Sequence, residues 1–255
     1  MTHSPTTSKP ETESTSVPRF TRRRYSSMRI TRPTRRRIIF FPLEMFFVAH
    51  VGLALYIAGF AAVFAFMQPP IGSLMMYRIV HDGVRVKPII PVPISAIKQN
   101  VREMFIRLED YHFYTHHGID FGAIRAAYRA DKAAGSYVRG ASTIDMQLAR
   151  TLFLTTDKNL YRKYVEAFIA VELDALLPKN RILSLYLNSI EWGPGVFGIG
   201  QASRYEYGKP YTSLTDDQIR RLAAILPSPL HFTVHNFFRS PGLYDRYHLL
   251  VRLGY

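Results

Sequence analysis

The 255-residue sequence contains no cysteine. This absence excludes disulfide bonds, thiol nucleophiles and zinc sites built on cysteine. The chain is 47% hydrophobic, so it still has enough apolar surface for a real core. We expect one good-sized domain with appendages, and compact helices, because no disulfide can stabilise the fold.

Acidic residues are missing between Arg19 and Arg37, a stretch that holds nine arginines. Such a run is typical of a nucleic-acid-binding arm, a solvated tail or the cytoplasmic flank of a membrane span. The 23 residues from Met45 to Met67 hold no Asp, Glu, Lys or Arg, and a bilayer is crossed by ~20 apolar residues. We therefore predict a disordered basic cytoplasmic tail over residues 1–37 and an uncleaved transmembrane signal anchor over residues 38–67.

Sustained alternation of apolar and polar residues is also absent, and the sequence has no hairpin signal. Helical spacing dominates instead, which predicts a mainly α fold. Five prolines punctuate residues 68–94, and they predict a juxtamembrane linker without a helix. Residues 95–255 would then form the extracytoplasmic domain.

The stretch from Glu109 to Asp120 combines two adjacent carboxylates, three histidines, several aromatic residues and a glycine. This composition is more typical of a site than of a core. Apolar residues recur every three to four positions before it, at Ile97, Val101, Phe105 and Leu108. Glu109 therefore falls where a helix leaves its packed face, and partial desolvation there suits a general base. From this stretch alone, a helix end with a solvated Glu-Asp pair is the alternative.

Two further polar clusters follow. Gly140–Arg150 has the pattern of a helix start, with Ser142 as the cap and Asp145 at the capping-box position. The free amides of such a start can bind an anion. The third cluster, Arg162–Glu166, carries two cations and a glutamate at helical spacing, and by itself it indicates an ordinary surface ion pair.

Together these clusters resemble the peptidoglycan glycosyltransferases, the transglycosylase module that is also joined to class A penicillin-binding proteins. The residues that fill the family's motif positions are Glu109, Asp110, Phe113, His116 and Gly118; Gly140, Ser142, Thr143 and Gln147; Arg162, Lys163 and Glu166; and most of the stretch 179–199. Asp145 departs from the pattern, because the family has a hydroxyl residue there. A carboxylate beside a pyrophosphate would weaken donor binding unless it only caps the helix. The resemblance covers about residues 95–230, and no transpeptidase domain is expected.

The resemblance implies a lysozyme-like two-lobed helical domain behind a single N-terminal transmembrane helix. It also implies polymerisation of lipid II into glycan strands, with inversion of the anomeric centre and release of undecaprenyl pyrophosphate. Glu109 would be the general base, and Glu166 would hold the pyrophosphate region through neighbouring cations or through a divalent metal, Mg or Mn. No organic cofactor is expected. The substrate-binding residues would be Asp110, His116, Arg125, Ser142, Thr143, Gln147, Arg150, Arg162 and Lys163. For Arg125 a solvated helix face is the alternative.

Three other functions stay open from the sequence. A lysozyme-like lytic enzyme would use Glu109 as a general acid, but it does not explain the cationic clusters. A catalytically weak or inactive scaffold paralogue would bind cell-wall synthesis proteins. Its support is Asp145 together with Glu206, which stands where the family usually has an aromatic residue. A nucleic-acid-binding protein fits worst, since the densest arginines flank the apolar segment.

The expected partners are lipid II, the growing glycan strand, the membrane and proteins of cell-wall synthesis and division, with no nucleic acid. The expected location is the bacterial inner membrane. The chain would cross it once, with a cytoplasmic N-terminus and a periplasmic catalytic domain.

Overall fold

The computed structural model describes residues 1–2, 35–136, 140–157 and 159–255. Most of the predicted basic tail, residues 1–37, lies outside the described residues. The chain divides into two compact units, residues 1–45 and 46–255, and all side-chain contacts given below lie within the second. The helices are α1 (Arg35–Phe64), α2 (Ser73–Val80), α3 (Gln99–Glu109), α4 (Phe121–Ala134), α5 (Ile144–Phe153), α6 (Leu160–Leu176), α7 (Lys179–Ser189), α8 (Ile199–Tyr207), α9 (Asp216–Ile225) and α10 (Pro241–Arg252); the strands are β1 (Glu191–Gly193) and β2 (Val196–Phe197).

The apolar helix predicted near the N-terminus is present. Within α1, the 25 residues Phe40–Phe64 have a mean hydropathy of 2.0, which makes this part long and apolar enough to cross a membrane. Its C-terminal half packs one side against the rest of the second unit, where Ile57 and Ala61 are buried. On the same side, Tyr164 of α6 bonds His50 at 2.8 Å.

The core of the second unit is centred on α5, which packs along both α6 and α7. Leu148, Ile169 and Leu183, one from each of these helices, are buried. A second set of contacts joins α9 to α3 and α10. The predicted mainly α fold with one apolar N-terminal helix is confirmed.

Gly118 fixes the loop between α3 and α4 against α6. Its φ is +76°, and a Cβ at this position would lie 2.7 Å from the carbonyl oxygen of Ala170. Any other residue would therefore be both strained and in collision with backbone. The motif glycine is explained by close packing of the loop that carries the first cluster.

The expectation that residues 68–94 contain no helix is wrong, because α2 lies within them. Leu74 and Met75 of α2 are buried in a small cluster with Phe197. Gly72 lets this helix approach α5, since a Cβ there would lie 2.7 Å from the carbonyl oxygen of Thr151. The prolines flank α2 without interrupting it, and burial of its apolar side stabilises it.

One short hairpin is present where none was expected. β1 and β2 pair antiparallel, with Glu191 opposite Phe197 and Gly193 opposite Val196. Strands of three and two residues are too short to show an alternating pattern in the sequence.

Candidate active site

Glu109 is the last residue of α3 and lines a cleft of about 1010 Å³. Its side chain is 9% exposed. Arg246 of α10 forms an ion pair with Oε1, and the side-chain amide of Gln147 donates to Oε2 at 3.1 Å. The carboxylate is thus held at both oxygens on the wall of an open cleft, and a general base needs such access to its substrate.

The cleft is lined by residues from the end of α3, from the starts of α4 and α5, and from α10. The charged and polar members include Arg107, Glu109, Asp110, His112, Asp120, Ser142, Thr143, Gln147 and Arg246. Its walls therefore come from segments that are more than one hundred residues apart. The cleft is large enough for a sugar-sized substrate.

Asp110 and His116 form a buried pair beside the cleft. His116 Nε2 bonds Asp110 Oδ2 at 2.8 Å, and the same oxygen accepts the backbone N–H of Ile144 at 2.9 Å. These contacts join the first cluster to the start of α5. Asp110 lines the cleft, whereas His116 supports it from behind.

Glu166 lies inside α6 and is 0% exposed. Arg162 forms an ion pair with Oε2, and Lys163 Nζ lies 2.5 Å from Oε1. A carboxylate with a cation on each oxygen fixes the positions of both cations. The acid of the third cluster is therefore buried beneath its two cations, which differs from the surface ion pair that its spacing alone indicates.

Ser142 and Thr143 connect the clusters. Lys163 Nζ donates to Ser142 Oγ at 2.9 Å, and Thr143 Oγ1 donates to the carbonyl oxygen of Gly118 at 2.7 Å. Thr143, and not Ser142, caps α5, because its hydroxyl accepts the Met146 N–H at 3.1 Å. The cap therefore lies one residue later than the predicted Ser142, and Ser142 is part of the cleft wall.

Asp145 points away from the cleft wall and into the protein, with 0% exposure. Its carboxylate accepts from Lys179 Nζ at 3.2 Å, and the same ammonium group pairs with Asp174 at 2.6 Å. Burial raises the pKa of Asp145 to about 6, although Lys179 and His116 act in the opposite direction. The departure from the family pattern is thus accommodated in the core, without a carboxylate at the proposed pyrophosphate position.

Within the part of the chain that the structure describes, none of the three predicted arginines lines the cleft. Arg125 is exposed on α4, where its Nε lies 3.4 Å from the carbonyl oxygen of Phe121. Arg150 is half-buried in the last turn of α5. Arg162 and Lys163 are outside the cleft lining as well, but Lys163 contacts the cleft wall through its hydrogen bond to Ser142.

The donor set does not suit a protein-held divalent cation at Glu166. Both of its oxygens are paired with cations, and Mg²⁺ needs several oxygen ligands. Within the described residues, one trio of the right type occurs, Asp110, His116 and Asp145, whose ligand atoms lie within 4.8 Å of one another. Lys179 Nζ lies 3.2 Å from Asp145 Oδ2, so a positive charge already occupies a position beside that trio.

Arg246 is a cleft residue, paired with Glu109, that sequence reasoning missed. It lies on the same face of α10 as the buried residues Leu243 and Leu250, at spacings of three and four residues. A cation on an otherwise apolar helix face needs a buried partner. This signal was available in the sequence, but it does not say which acid is the partner.

The chain matches the family model described as transglycosylase over residues 81–248. It is 42% identical to a biosynthetic peptidoglycan transglycosylase of Neisseria gonorrhoeae over 161 residues, 63% of this chain and 68% of the relative. A protein of the same name from Paraburkholderia xenovorans is 34% identical over 235 residues, 89% of this chain and 95% of the relative.

The chain belongs to the transglycosylase family. The resemblance stated from the motifs is thereby confirmed, and with it the prediction that the chain is a glycosyltransferase. Another relative with the same name, from Rhodospirillum centenum, is 39% identical over 178 residues, 70% of this chain and 76% of the relative.

Proposed function

We propose that this transglycosylase polymerises lipid II into peptidoglycan glycan strands and releases undecaprenyl pyrophosphate. The observation that carries the proposal is the placement of a base and of a cation cluster on the two sides of one helix start. Gln147 of α5 contacts the base Glu109, while Ser142, just before α5, contacts the cation Lys163.

In the proposed step, Glu109 accepts the proton of the 4-hydroxyl of the incoming GlcNAc. The oxygen attacks the anomeric carbon of the growing chain as the bond to the pyrophosphate breaks, with inversion. Glu109 suits this role because it is on the cleft wall and is held at both carboxylate oxygens.

The leaving pyrophosphate needs positive charge and hydrogen-bond donors. Lys163 and Arg162 supply the charge, and Glu166 keeps them in place from the buried side. Ser142 and the start of α5 add donors near the cleft. Arg150 would contribute only through its charge in the described arrangement.

A divalent cation, Mg or Mn, stays a prediction, and no step is derived through it. If one takes part, its ligands would have to come largely from the substrate phosphates, because Glu166 is saturated by Arg162 and Lys163. When bound, such a cation would neutralise charge on the leaving group.

The single-pass topology with a cytoplasmic N-terminus is part of the proposal. The arginines that precede the apolar helix support it. Anchoring would keep the cleft beside a substrate that stays in the bilayer, and the net charge of +14 suits anionic headgroups. Proteins of cell-wall synthesis and division remain predicted partners.

The test is polymerisation of labelled lipid II by the detergent-solubilised full chain, run beside Glu109→Gln. We expect long strands from the parent and a rate about 10³-fold lower from the variant, since a general base contributes 10²–10⁴-fold. Glu103→Gln, on an exposed position of the same helix, should retain parental activity. A parent that binds lipid II but makes no strands would contradict the proposal.

A further inference from the structure

The base Glu109 has a partner that lies outside every motif of the first three clusters. Arg246 reaches it from α10, 137 residues away in the chain. Its guanidinium also donates to the carbonyl oxygens of Leu108 at 3.2 Å and Ala223 at 3.4 Å. Arg246 therefore joins the end of α3 to α9 and α10 at the position of the base.

The second carboxylate oxygen of Glu109 is held by an amide of defined orientation. Gln147 donates to Oε2 through Nε2, while its Oε1 accepts the hydroxyl of Tyr186 at 3.1 Å. Burial, with a further effect from the nearby Glu109 carboxylate, raises the pKa of Tyr186 well above its usual value, so the hydroxyl stays protonated.

Only one orientation of the Gln147 amide satisfies both neighbours. A carboxylate can only accept, so it requires the NH₂ group, and the Tyr186 hydroxyl can then donate to the amide oxygen. A flipped amide would place its oxygen against the Glu109 carboxylate. The Glu109 carboxylate thus selects this orientation, and the buried hydroxyl of Tyr186 completes it by donating to the amide oxygen.

We propose that Arg246, together with the amide of Gln147 that the Tyr186 hydroxyl holds in place, positions the carboxylate of Glu109 for proton transfer. Arg246 is a positioning residue in this scheme. Gln147 acts on the base, whereas the sequence predicted that it binds the substrate. The inference rests on the proposed function, because it gives Glu109 the role of the base.

The experiment measures the initial rate of lipid II consumption against lipid II concentration for the full chain and its variants. For Arg246→Gln we expect kcat to fall about 100-fold with KM within about twofold, since a displacement of ~1 Å costs on that order. Arg246→Lys keeps the charge, and its kcat should be about tenfold higher than that of Arg246→Gln. Tyr186→Phe keeps the ring and should lower kcat about tenfold.

Matched controls are available in the same region. Arg220 is 19% exposed, close to the 22% of Arg246, and it pairs with Asp217 away from the cleft. Tyr207 donates its hydroxyl to the carbonyl oxygen of Gln218. Arg220→Gln and Tyr207→Phe should keep kcat within about twofold of the parent.

Each other outcome overturns the inference. A raised KM with unchanged kcat in Arg246→Gln would make Arg246 a substrate-binding residue, and equal losses in the variants and their controls would make it merely structural. If Arg246→Gln fails to fold, Arg246→Lys and Tyr186→Phe decide by the same criteria. An active parent with unaffected variants overturns the inference alone, whereas a parent that makes no strands overturns the proposed function and the inference with it.

Discussion

Glu109 is a half-buried carboxylate and Glu166 a fully buried one, and their surroundings differ. Glu109 lines the cleft and contacts one cation and one neutral amide. Glu166 is 0% exposed and has a cation on each oxygen. The first can reach a substrate, whereas the second is saturated and can only hold its cations, so the surroundings and not the residue type separate the two roles.

Asp145 adds a third case to this comparison. It is as buried as Glu166, but it shares its one cation, Lys179, with Asp174. Burial therefore dominates and raises its pKa to about 6. The three acids are the proposed base on a cleft wall, a buried acid that holds two cations, and a buried acid whose charge is only partly compensated.

The largest expected effect on stability distinguishes the first two acids. Glu166→Gln should lower the free energy of unfolding by about 3 kcal/mol, because it leaves two cations without their buried partner. Glu109→Gln should lower it much less, since it borders the cleft and keeps its contact with Gln147. Denaturant unfolding can be followed through Trp192, the only tryptophan, which is 1% exposed.

Glu172→Gln on the same helix is the control for Glu166→Gln and should be close to the parent. Equal destabilisation by Glu109→Gln and Glu166→Gln would break the comparison between the two acids.

The next prediction concerns pH. Because folding raises the pKa of Asp145 from 3.8 to about 6, the folded state binds the proton more tightly, and stability is lost as pH rises through that window. Asp145→Asn removes this titration. The stability of the parent relative to the variant should therefore fall by about 2 kcal/mol between pH 4.5 and pH 7.

Unfolding curves of the parent and Asp145→Asn at both pH values measure the difference. Asp145→Asn keeps the Lys179–Asp174 pair at 2.6 Å, so a second ion pair is not lost. A difference in stability that is the same at both pH values would argue against the raised pKa.

A smaller effect should follow from removing the hydrogen bond between Lys163 and Ser142, which connects the cations of α6 to the start of α5. Ser142→Ala removes the acceptor of Lys163 at 2.9 Å, and the loss of one hydrogen bond to a charged group corresponds to roughly tenfold in rate. Lipid II polymerisation by Ser142→Ala should fall by that amount. Ser203→Ala, which removes a buried hydroxyl bonded to the carbonyl oxygen of Gly200, should leave the rate unchanged if only the link matters.

The smallest expected effect separates the two interpretations of Arg125. Since it is exposed on α4 and does not line the cleft, Arg125→Gln should change the polymerisation rate by less than about twofold. Arg162→Gln, which removes a cation from Glu166, is the comparison and should reduce the rate far more. A tenfold loss in Arg125→Gln would restore its predicted role in substrate binding.

Much of the site could be predicted because its residues lie in short patterns. Ser142, Thr143 and Gln147 meet around one helix start, and Arg162, Lys163 and Glu166 are separated by a single helical turn. Which of these residues contact one another across helices could not be predicted. The sequence also could not predict that the side chain of Asp145 lies in the core, because this depends on how Lys179 of α7 packs against α5.

The sequence by itself determined the mainly α fold, the apolar N-terminal helix and the family. Helical periodicity, a 25-residue apolar run and motif spacing all act within a few turns of chain, where local geometry dictates which side chains meet. The tertiary structure alone decided that Arg246 is the partner of Glu109 and that Asp145 is buried beside Lys179. Those contacts depend on how separate helices pack, and the short-range pattern of residues does not specify that packing.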